Sequence, residues 1–475
     1  MPHRCCLPVW LIVLVALVVG PNGCVLAPRG WRDEKNRATE TGRGYDKPFE
    51  ERTVPQLPDQ PSWRDVLHRA FFANGDLEAA YFEWAAALSR VPQVAEYPNT
   101  NIAPSFSYLF SGDQMKAWDR TTIGVGFDPM ENLSFPTKVA KAGEIAFEQA
   151  RAAAKKFEAA KFELQRKVLT AYLELVMHEE KIRIQTENVS LLRLLAQSAA
   201  DRVQAGGSQQ DLLRAQTQHQ LAENELETMK AQHMGMKAML NGLLALPADA
   251  PLNLPPGIPA PRHVDFDDAR LIAAATHNSP DLQRLAHDVA GRSDALELAR
   301  MAYIPDINPL AAFTGNTSQM IGAMIVLPTT IHEIRGRIDE ARATLRASQA
   351  VLRQTRSDRA ANFVSTLYTM RNAERQAEVL RQTILPLAEQ AVETAREGYT
   401  TGRGSFPDVI EAQRTLLDVR VMIVDVQIER ELRLAEMENL AGVDIETLAS
   451  TTGSSTARSP HEARTATTQR IPEGH

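Results

Sequence analysis

Two long stretches of the chain lack both glycine and proline and carry apolar residues at helical spacing. The first lies between Gly143 and Gly206, and the second lies between Gly336 and Pro386. Helices of about 50 to 60 residues would reach roughly 75 to 90 Å. A single globular core cannot bury such helices, so we expect them to pack as coiled coils. One broad apolar face in residues 161–176 agrees with this, and it consists of Phe162, Leu164, Val168, Leu169, Tyr172, Leu173 and Val176.

Short alternating segments predict β-strands between the helices. Phe106 and Tyr108 alternate with serines, and Ile123 and Val125 alternate with glycines. Residues 307–313 and 321–327 predict a second pair, although Pro309 is poorly tolerated in a central strand. Turn residues at 111–113 and 315–318 separate the two members of each pair. Four strands cannot close a barrel, so in lipid several chains would have to share one.

The same order of elements occurs twice along the chain. A helical segment (residues 63–88, then 267–300) precedes a strand pair, and a proline (Pro136, then Pro328) opens a long helix. Return helices follow at residues 211–246 and 408–441. The predicted fold class is therefore mainly α, with long antiparallel coiled-coil helices from two internal repeats and four β-strands per protomer. The repeats are assigned to residues 62–256 and 257–449.

The N-terminal residues predict a secreted chain. A basic residue, Arg4, precedes an apolar run of about 13 residues, which is short of the roughly 20 that span a bilayer. Residues 1–23 therefore predict a signal peptide. Cys24 follows a small residue, as in lipoprotein signals, which favours acylation over a coincidental cysteine, and Val25 favours outer-membrane sorting. Residues 24–61 are predicted as a lipid-anchored linker, and residues 450–475 as a disordered tail.

Composition excludes several functional classes. Two of the three cysteines lie in the predicted signal, which leaves no intramolecular disulfide and no cysteine-based zinc site. The formal charge of −7 gives no basic excess for nucleic acid. No nucleophile elbow, phosphate loop or metal-ligand cluster occurs, so we predict neither an enzyme nor a cofactor. A Cu(I) site at Met229, His233, Met236 and Met239 is the alternative to packing between helices, and we favour packing.

Three motifs carry a resemblance to a known family. Residues 384–389 read ILPLAE, residues 398–413 read GYTTGRGSFPDVIEAQ, and residues 203–216 read VQAGGSQQDLLRAQ. These resemble the helical tips of the TolC family, and residues 336–343, GRIDEARA, resemble the start of its long helix. The resemblance covers residues 63–443. Residues 329–335 depart from the family pattern at the junction between the strands and the second long helix.

The resemblance implies a homotrimer that pools its strands into one outer-membrane β-barrel and its helices into a periplasmic tunnel. It also implies docking to an inner-membrane pump through a periplasmic adaptor, as the passive channel of an efflux or secretion system. The alternative is a lipid-anchored periplasmic adaptor or scaffold, which would need long helices but no membrane strands. The sequence does not identify the cargo.

Candidate site residues lie at the two predicted tips. Ser208 with Asp211, and Ser405 with Asp408, fit S-x-x-D at a helix start, where serine and acid cap free N–H groups. The resemblance adds a periplasmic gate at Tyr399, Asp408, Glu411 and Asp211. It also implies adaptor contacts at Gly206, Gly207, Ser208, Gly402, Gly404 and Ser405. Stacked carboxylate rings and simple capping both remain open for the acids.

Overall fold

The computed structural model describes residues 26–96, 102–110, 116–127, 134–262, 264, 268, 272, 278–314 and 318–445. Cys24 and the predicted signal and tail lie outside the described residues. The protein is mainly helical, as predicted. Its helices are α1 (Trp31–Gly42), α2 (Trp63–Ala73), α3 (Gly75–Val94), α4 (Pro136–Gln204), α5 (Gln209–Leu243), α6 (Pro280–Arg300), α7 (Ile331–Val379), α8 (Leu385–Thr400) and α9 (Phe406–Ala441). The strands are β1 (Ile102–Tyr108), β2 (Thr121–Phe127), β3 (Asp306–Thr314) and β4 (Ser318–Val326).

The four predicted strands form one antiparallel sheet in the order β1-β2-β3-β4. The middle pairing joins the two sequence repeats, since Thr122 of β2 pairs with Thr314 of β3. Pro309 does lie in an inner strand, which the sequence made doubtful. Pairing between β2 and β3 stops at Leu310, so Pro309 meets no β2 residue, and its partner across β4 is Ala323. The backbone N–H that Pro309 lacks would therefore lie beyond the end of the pairing between β2 and β3.

The long helices exceed the expected length in the first repeat. Helix α4 has 69 residues and α7 has 49. A π-helical turn, Leu380–Ile384, separates α7 from α8, where Pro386 removes one backbone donor. Helix α7 begins at Ile331, three residues after Pro328, because the N–H of Ile334 donates to the carbonyl of Thr330 (3.1 Å).

Two segments differ from the sequence prediction. Residues 63–88 do not form one helix, because the side chain of Asn74 accepts from the backbone N–H of Asp76 (3.1 Å) and starts α3. The linker prediction for residues 24–61 missed α1, which packs as an ordered element. Trp31 Nε1 donates to the carbonyl of Leu88 (3.1 Å), and Ala38 and Gly42 are buried. Short 3-10 turns follow at Arg43–Tyr45 and Phe49–Glu51.

The chain divides into two compact units, each containing segments of both repeats. Unit 1 comprises residues 1–46, 78–157 and 281–355, and unit 2 comprises residues 47–77, 158–280 and 356–475. In unit 1 the rings of Trp84 and Phe157 stack at 5.8 Å. One apolar cluster of unit 2 contains Phe363, Leu367, Met370, Leu434, Met437, Ala441 and Ile445.

Candidate functional site

The first predicted tip is a tight glycine turn between α4 and α5. Gly206 has a φ of +91°, which L side chains rarely adopt. The N–H of Gly207 then donates to the carbonyl of Arg202 (2.8 Å), and a Cβ on Gly207 would lie 2.8 Å from that oxygen. This return bond closes the C-terminus of α4, as in a Schellman motif. Both glycines are therefore required by the geometry of the turn.

The second tip repeats this construction between α8 and α9. Gly402 has a φ of +74°, and the N–H groups of Arg403 and Gly404 both donate to the carbonyl of Gly398 (2.9 and 2.8 Å). A Cβ on Gly404 would lie 3.0 Å from the backbone of Gly398, so the two chain segments almost touch. The duplicated motif in the sequence thus corresponds to a duplicated turn.

A serine caps the return helix after each turn, and at the second tip an acid completes the cap. The Ser208 hydroxyl accepts from the N–H of Asp211 (3.4 Å) at the start of α5. At α9 the N–H of Ser405 donates to the Asp408 carboxylate (2.9 Å). Hydrogen bonds from the hydroxyl and the N–H of Ser405 hold the pKa of Asp408 below its ordinary value. The capping interpretation of these motifs is therefore confirmed, and Asp408 is an exposed anion at neutral pH.

Tyr399 joins the two tips inside unit 2. Its ring is 8% exposed and packs edge to face against Phe406 at 5.6 Å. The guanidinium of Arg202 lies 3.9 Å from the centre of the same ring and donates to the Tyr399 carbonyl (2.9 Å). The surrounding apolar cluster draws on all four tip helices and contains Ala199, Ala215, Tyr399, Phe406 and Val409. Sequence analysis missed Arg202, although it stands four residues before Gly206.

The acids of the second tip form an exposed stripe along α9. Asp408 and Glu411 are three residues apart and both are exposed, and Asp418 is exposed two turns further along the helix. Asp211 of the first tip is only partly exposed. The structure therefore packs Tyr399 inside the cluster that joins the tip helices, while Asp408 and Glu411 are exposed outside that cluster.

The candidate Cu(I) residues of α5 do not share one environment. His233 stacks on His178 of α4, with ring centroids 6.1 Å apart, whereas Met239 is 75% exposed. Burial lowers the pKa of His233, and the neighbouring His178 and Lys237 add to this. Within the described ranges no group of three or more His, Cys, Asp or Glu residues is placed to hold a metal ion.

The sheet is amphipathic, which makes it a second candidate functional surface. Described side chains on one face include Phe106, Tyr108, Ile123, Ile307, Ala323 and Ile325, and Phe106 is 71% exposed. The opposite face includes the polar or small residues Ser105, Ser107, Thr122, Gly124, Asp306, Ala312, Thr314 and Gly322, together with the apolar residues Met320, Met324 and Val326. On that second face Thr122 and Thr314 share a hydroxyl hydrogen bond (2.9 Å). One apolar and one polar or small face is the pattern of membrane β-strands.

Aromatic and large apolar side chains lie exposed at both ends of the sheet. Phe110 and Trp118, at the ends of β1 and β2, are 89% and 53% exposed. Tyr303 and Leu327, which flank β3 and β4 at the other end, are 45% and 67% exposed. The aromatic residues among them are of the kind that is enriched where a membrane protein meets the headgroup layers. Among the described residues no helix combines the length and apolar character needed to cross a bilayer.

Comparison with solved structures identifies the class of fold. The outer-membrane channel OprN superposes with a TM-score of 0.68 at 15% identity, covering 83% of this chain and 95% of that chain. The outer membrane protein VceC of Vibrio cholerae gives 0.67 at 18% identity, covering 80% and 96%. The fold is therefore that of outer-membrane channels.

Sequence comparison then shows which family the chain resembles. Residues 271–443 match the model of the outer membrane efflux protein family, so this region is similar to that family. A curated relative is the cobalt-zinc-cadmium resistance protein CzcC of Cupriavidus metallidurans, 26% identical over 283 residues. That alignment covers 56% of this chain and 64% of the relative's length.

Proposed function

We propose that this chain is one protomer of an outer-membrane efflux channel that passively conducts solutes from the periplasmic side to the outside of the cell. The observation that carries the proposal is the amphipathic sheet with unshared edges. In the part of the chain that is described, β1 and β4 each pair with a single neighbouring strand. An unpaired edge in hydrocarbon leaves backbone groups unsatisfied at several kcal/mol each. Copies of the chain would satisfy these groups by pairing β1 of one with β4 of the next.

The number of copies follows from the width of the resulting barrel. Two copies would give about eight strands, and the interior of an eight-stranded barrel is filled by side chains. Three copies are the smallest ring that leaves a lumen, so we propose a homotrimer. In this head-to-tail arrangement every strand edge is paired only when the copies close into a ring. The polar and small face of each sheet would line the lumen, and the apolar face would contact outer-membrane lipid.

The tips supply the proposed periplasmic entrance. Threefold symmetry would place three copies of the exposed Asp408 and Glu411 around one axis, as stacked carboxylate rings. Tyr399 and Asp211 would hold the tip helices that carry these acids. We propose that a periplasmic adaptor, itself bound to an inner-membrane pump, contacts the turns at Gly206, Gly207, Ser208, Gly402, Gly404 and Ser405. Acylation of Cys24 would anchor the chain to the same membrane.

Divalent metal ions are the cargo that the available observations favour. The CzcC relative is named for cobalt, zinc and cadmium resistance. The exposed acids of α9 would attract cations at a constriction, although the same rings would admit other cationic solutes. A lipid-anchored periplasmic scaffold is the competing function. It has no need for an exposed apolar sheet face, which therefore favours the channel.

Cysteine cross-linking at the sheet edges would test the channel. Ser107→Cys on β1 is combined in turn with Met320→Cys, Gly322→Cys or Met324→Cys on β4. We expect at least one combination to give a covalent ladder up to a trimer after oxidation of the outer-membrane fraction. Ser107→Cys alone is the matched control and should give no ladder. A periplasmic monomer or dimer that never cross-links through these strands would contradict the channel and favour the scaffold.

A further inference from the structure

Two histidines face each other across the interface between α4 and α5, the helices that meet at the first tip. His178 and His233 lie almost equally far from Gly206 along the chain, so the antiparallel helices bring them to the same level. Their rings stack, with centroids 6.1 Å apart and 12° between the ring planes. Both residues belong to unit 2, so this histidine pair is a contact within one hairpin.

His233 occupies a position of α5 that is otherwise apolar. Leu226 and Leu240, one heptad before it and one heptad after it, are 7% and 0% exposed. On the facing side of α4, His178 is 6% exposed. A neutral imidazole is tolerated in such an interface, whereas a charged one would have to give up its hydration there.

The hydrogen bonds of the pair suit two neutral rings. Nε2 of His178 lies 2.7 Å from the carbonyl oxygen of Met229, to which a neutral ring donates its one N–H. Nε2 of His233 faces Glu179 (3.6 Å), so we assign the proton of the neutral ring to it. Nδ1 of His233 is buried and has no hydrogen-bond partner among the described residues. Protonation would turn this unused lone pair into a buried N–H without an acceptor.

The groups around His233 oppose its protonation. On α5 Lys237 is one turn away, and on α4 His178 faces the ring. Burial lowers the pKa of His233, and these two neighbours lower it further. In an opened hairpin the pKa would return toward its ordinary value of 6.5. The closed hairpin therefore binds a proton at this ring less readily than an opened one.

Glu179 of α4 acts in the opposite direction. Its Oε1 is 3.6 Å from Nε2 of His233, which is beyond hydrogen-bonding distance. Burial raises the pKa of Glu179, and Lys237 opposes this rise. Burial, Glu179 and Asp65 of α2 together raise the pKa of Tyr172 on α4 to about 12. The attraction of Glu179 for a proton does not outweigh the burial of the imidazole.

We propose that the histidine pair makes the α4–α5 hairpin acid-sensitive, because protonation of His233 loosens the contact between the two helices. This role goes beyond the proposed channel function and does not depend on it, since the contact lies within one copy of the chain. The same two helices carry the turn at Gly206. A loosened interface would therefore lower the rigidity with which the first tip is held.

The direction and size of the effect follow from proton linkage. A base whose pKa is lowered by folding stabilises the closed hairpin fully above pH 6.5, and this contribution is lost as the pH falls below 6.5. At pH 5.5 the proton favours an opened ring by a factor of about ten, because that ring has a pKa one unit above the pH. This factor is the largest loss of protection that one histidine can produce at this pH.

Hydrogen exchange of the detergent-extracted full chain, measured by mass spectrometry at pH 7.5, 6.5 and 5.5, would test this. Protection factors are calculated against the unfolded chain at the same pH, so the intrinsic pH dependence of exchange cancels. We expect protection of residues 226–240 in the wild type to fall several-fold, and at most about ten-fold, between pH 7.5 and 5.5. His233→Gln cannot take up the proton and should show no such fall.

His233→Leu is the second variant, since leucine stands one heptad away on each side and fits the same interface. It should keep its full protection at pH 5.5. His332→Gln changes an exposed histidine of unit 1 and should follow the wild type. An equal fall in the wild type and in both His233 variants would overturn the proposal. So would greater wild-type protection at pH 5.5, because Glu179 would then bind the charged ring and tighten the hairpin.

Discussion

Glu438 is a buried carboxylate, and its burial and its hydrogen-bond partners shift its pKa in opposite directions. Its side chain is 1% exposed, and both oxygens accept from Nη1 of Arg262 at 3.0 Å. Gln165 also donates to it (3.3 Å), and Arg262 is shared with Glu431 (3.0 Å). Burial nevertheless prevails over the attraction of Arg262 and raises the pKa of Glu438 to about 7. The free-energy cost of desolvating a carboxylate commonly exceeds the attraction that a single charged partner supplies.

This raised pKa predicts a stability that falls between pH 4.5 and 7. A carboxyl group that binds its proton more tightly in the folded state stabilises the fold below its unfolded pKa of 4.5, and this contribution disappears as the pH rises through 7. The shift corresponds to at most about 3 kcal/mol. Glu438→Gln should therefore remove this part of the pH dependence, which thermal unfolding of the detergent-extracted protein from pH 4.5 to 8 would measure.

Glu436→Gln provides the control for this experiment. Glu436 lies on the same helix but is paired with Arg433 at the surface, where its side chain is 39% exposed. Its variant should follow the wild-type pH curve, and only Glu438→Gln should flatten it. Parallel curves for all three proteins would mean that Glu438 stays ionised across this range in the folded protein.

At the scale of elements, adjacent residues of strand β4 lie on opposite faces of the sheet and so in different environments. Ile325 is 56% exposed on the apolar face, and Met324 is 37% exposed on the opposite face. Ile325→Arg would place a guanidinium in lipid near the strand end, at a cost of up to about 1 kcal/mol in each of the assembled copies. Met324→Arg would place the same group in the lumen at little cost. We expect heat-resistant trimers to decrease in Ile325→Arg alone, as judged by gel migration of the outer-membrane fraction.

Equal effects of the two arginine variants would contradict a sheet with one lipid face. Equal loss would indicate that β4 is buried on both faces, and equal tolerance would indicate that both faces are in water. Either result would favour the periplasmic scaffold over the channel.

The elements that the sequence predicted are those defined by strong local rules. Helices α4 and α9 follow from long stretches without breakers, and the sheet follows from alternation between turn residues. Helix α1 was missed because it is polar and buries only small residues, so it shows no apolar periodicity. A Cβ on Gly42 would lie 1.7 Å from the Tyr81 hydroxyl, and this close approach depends on a residue 39 positions away. Contacts between residues so far apart in the sequence cannot be predicted from the local sequence pattern.

The tip residues illustrate the same division. Gly206 and Gly402 were found through the resemblance of the tip motifs, and the structure adds that both have a positive φ, which glycine adopts readily. The capping serines were found because their spacing to the acid is local. Arg202 was missed because its contact with Tyr399 spans 197 positions, and arginine on a polar helix is ordinarily solvated. Only the packing of the two hairpins shows that it holds the ring.

At the scale of the whole molecule, the proposed homotrimer gives a role to each of two surfaces of the protomer. In lipid the sheet would need neighbouring copies to pair its edges, and the exposed acids of α9 would form rings only when copies surround an axis. The proposed homotrimer would meet each of these requirements. The proposed conduit therefore needs no catalytic group, and its selectivity for ions would arise from the charge around the axis.

Asp408 provides the test of this last point, because its charge can be separated from its capping bond. Asp408→Ala removes both, whereas Asp408→Asn keeps an oxygen that accepts from the N–H of Ser405. A ring of three carboxylates would hold cations at the entrance and slow their exit, so both variants should raise single-channel conductance and weaken block by Zn²⁺ in planar bilayers. Asp339→Asn, which changes an exposed acid of unit 1, should leave both quantities unchanged. An increase in Asp408→Ala alone would show that the cap, and not the charge, holds the entrance. Unchanged conductance in both Asp408 variants would leave Asp408 with capping as its only role and place the cation-selective ring elsewhere.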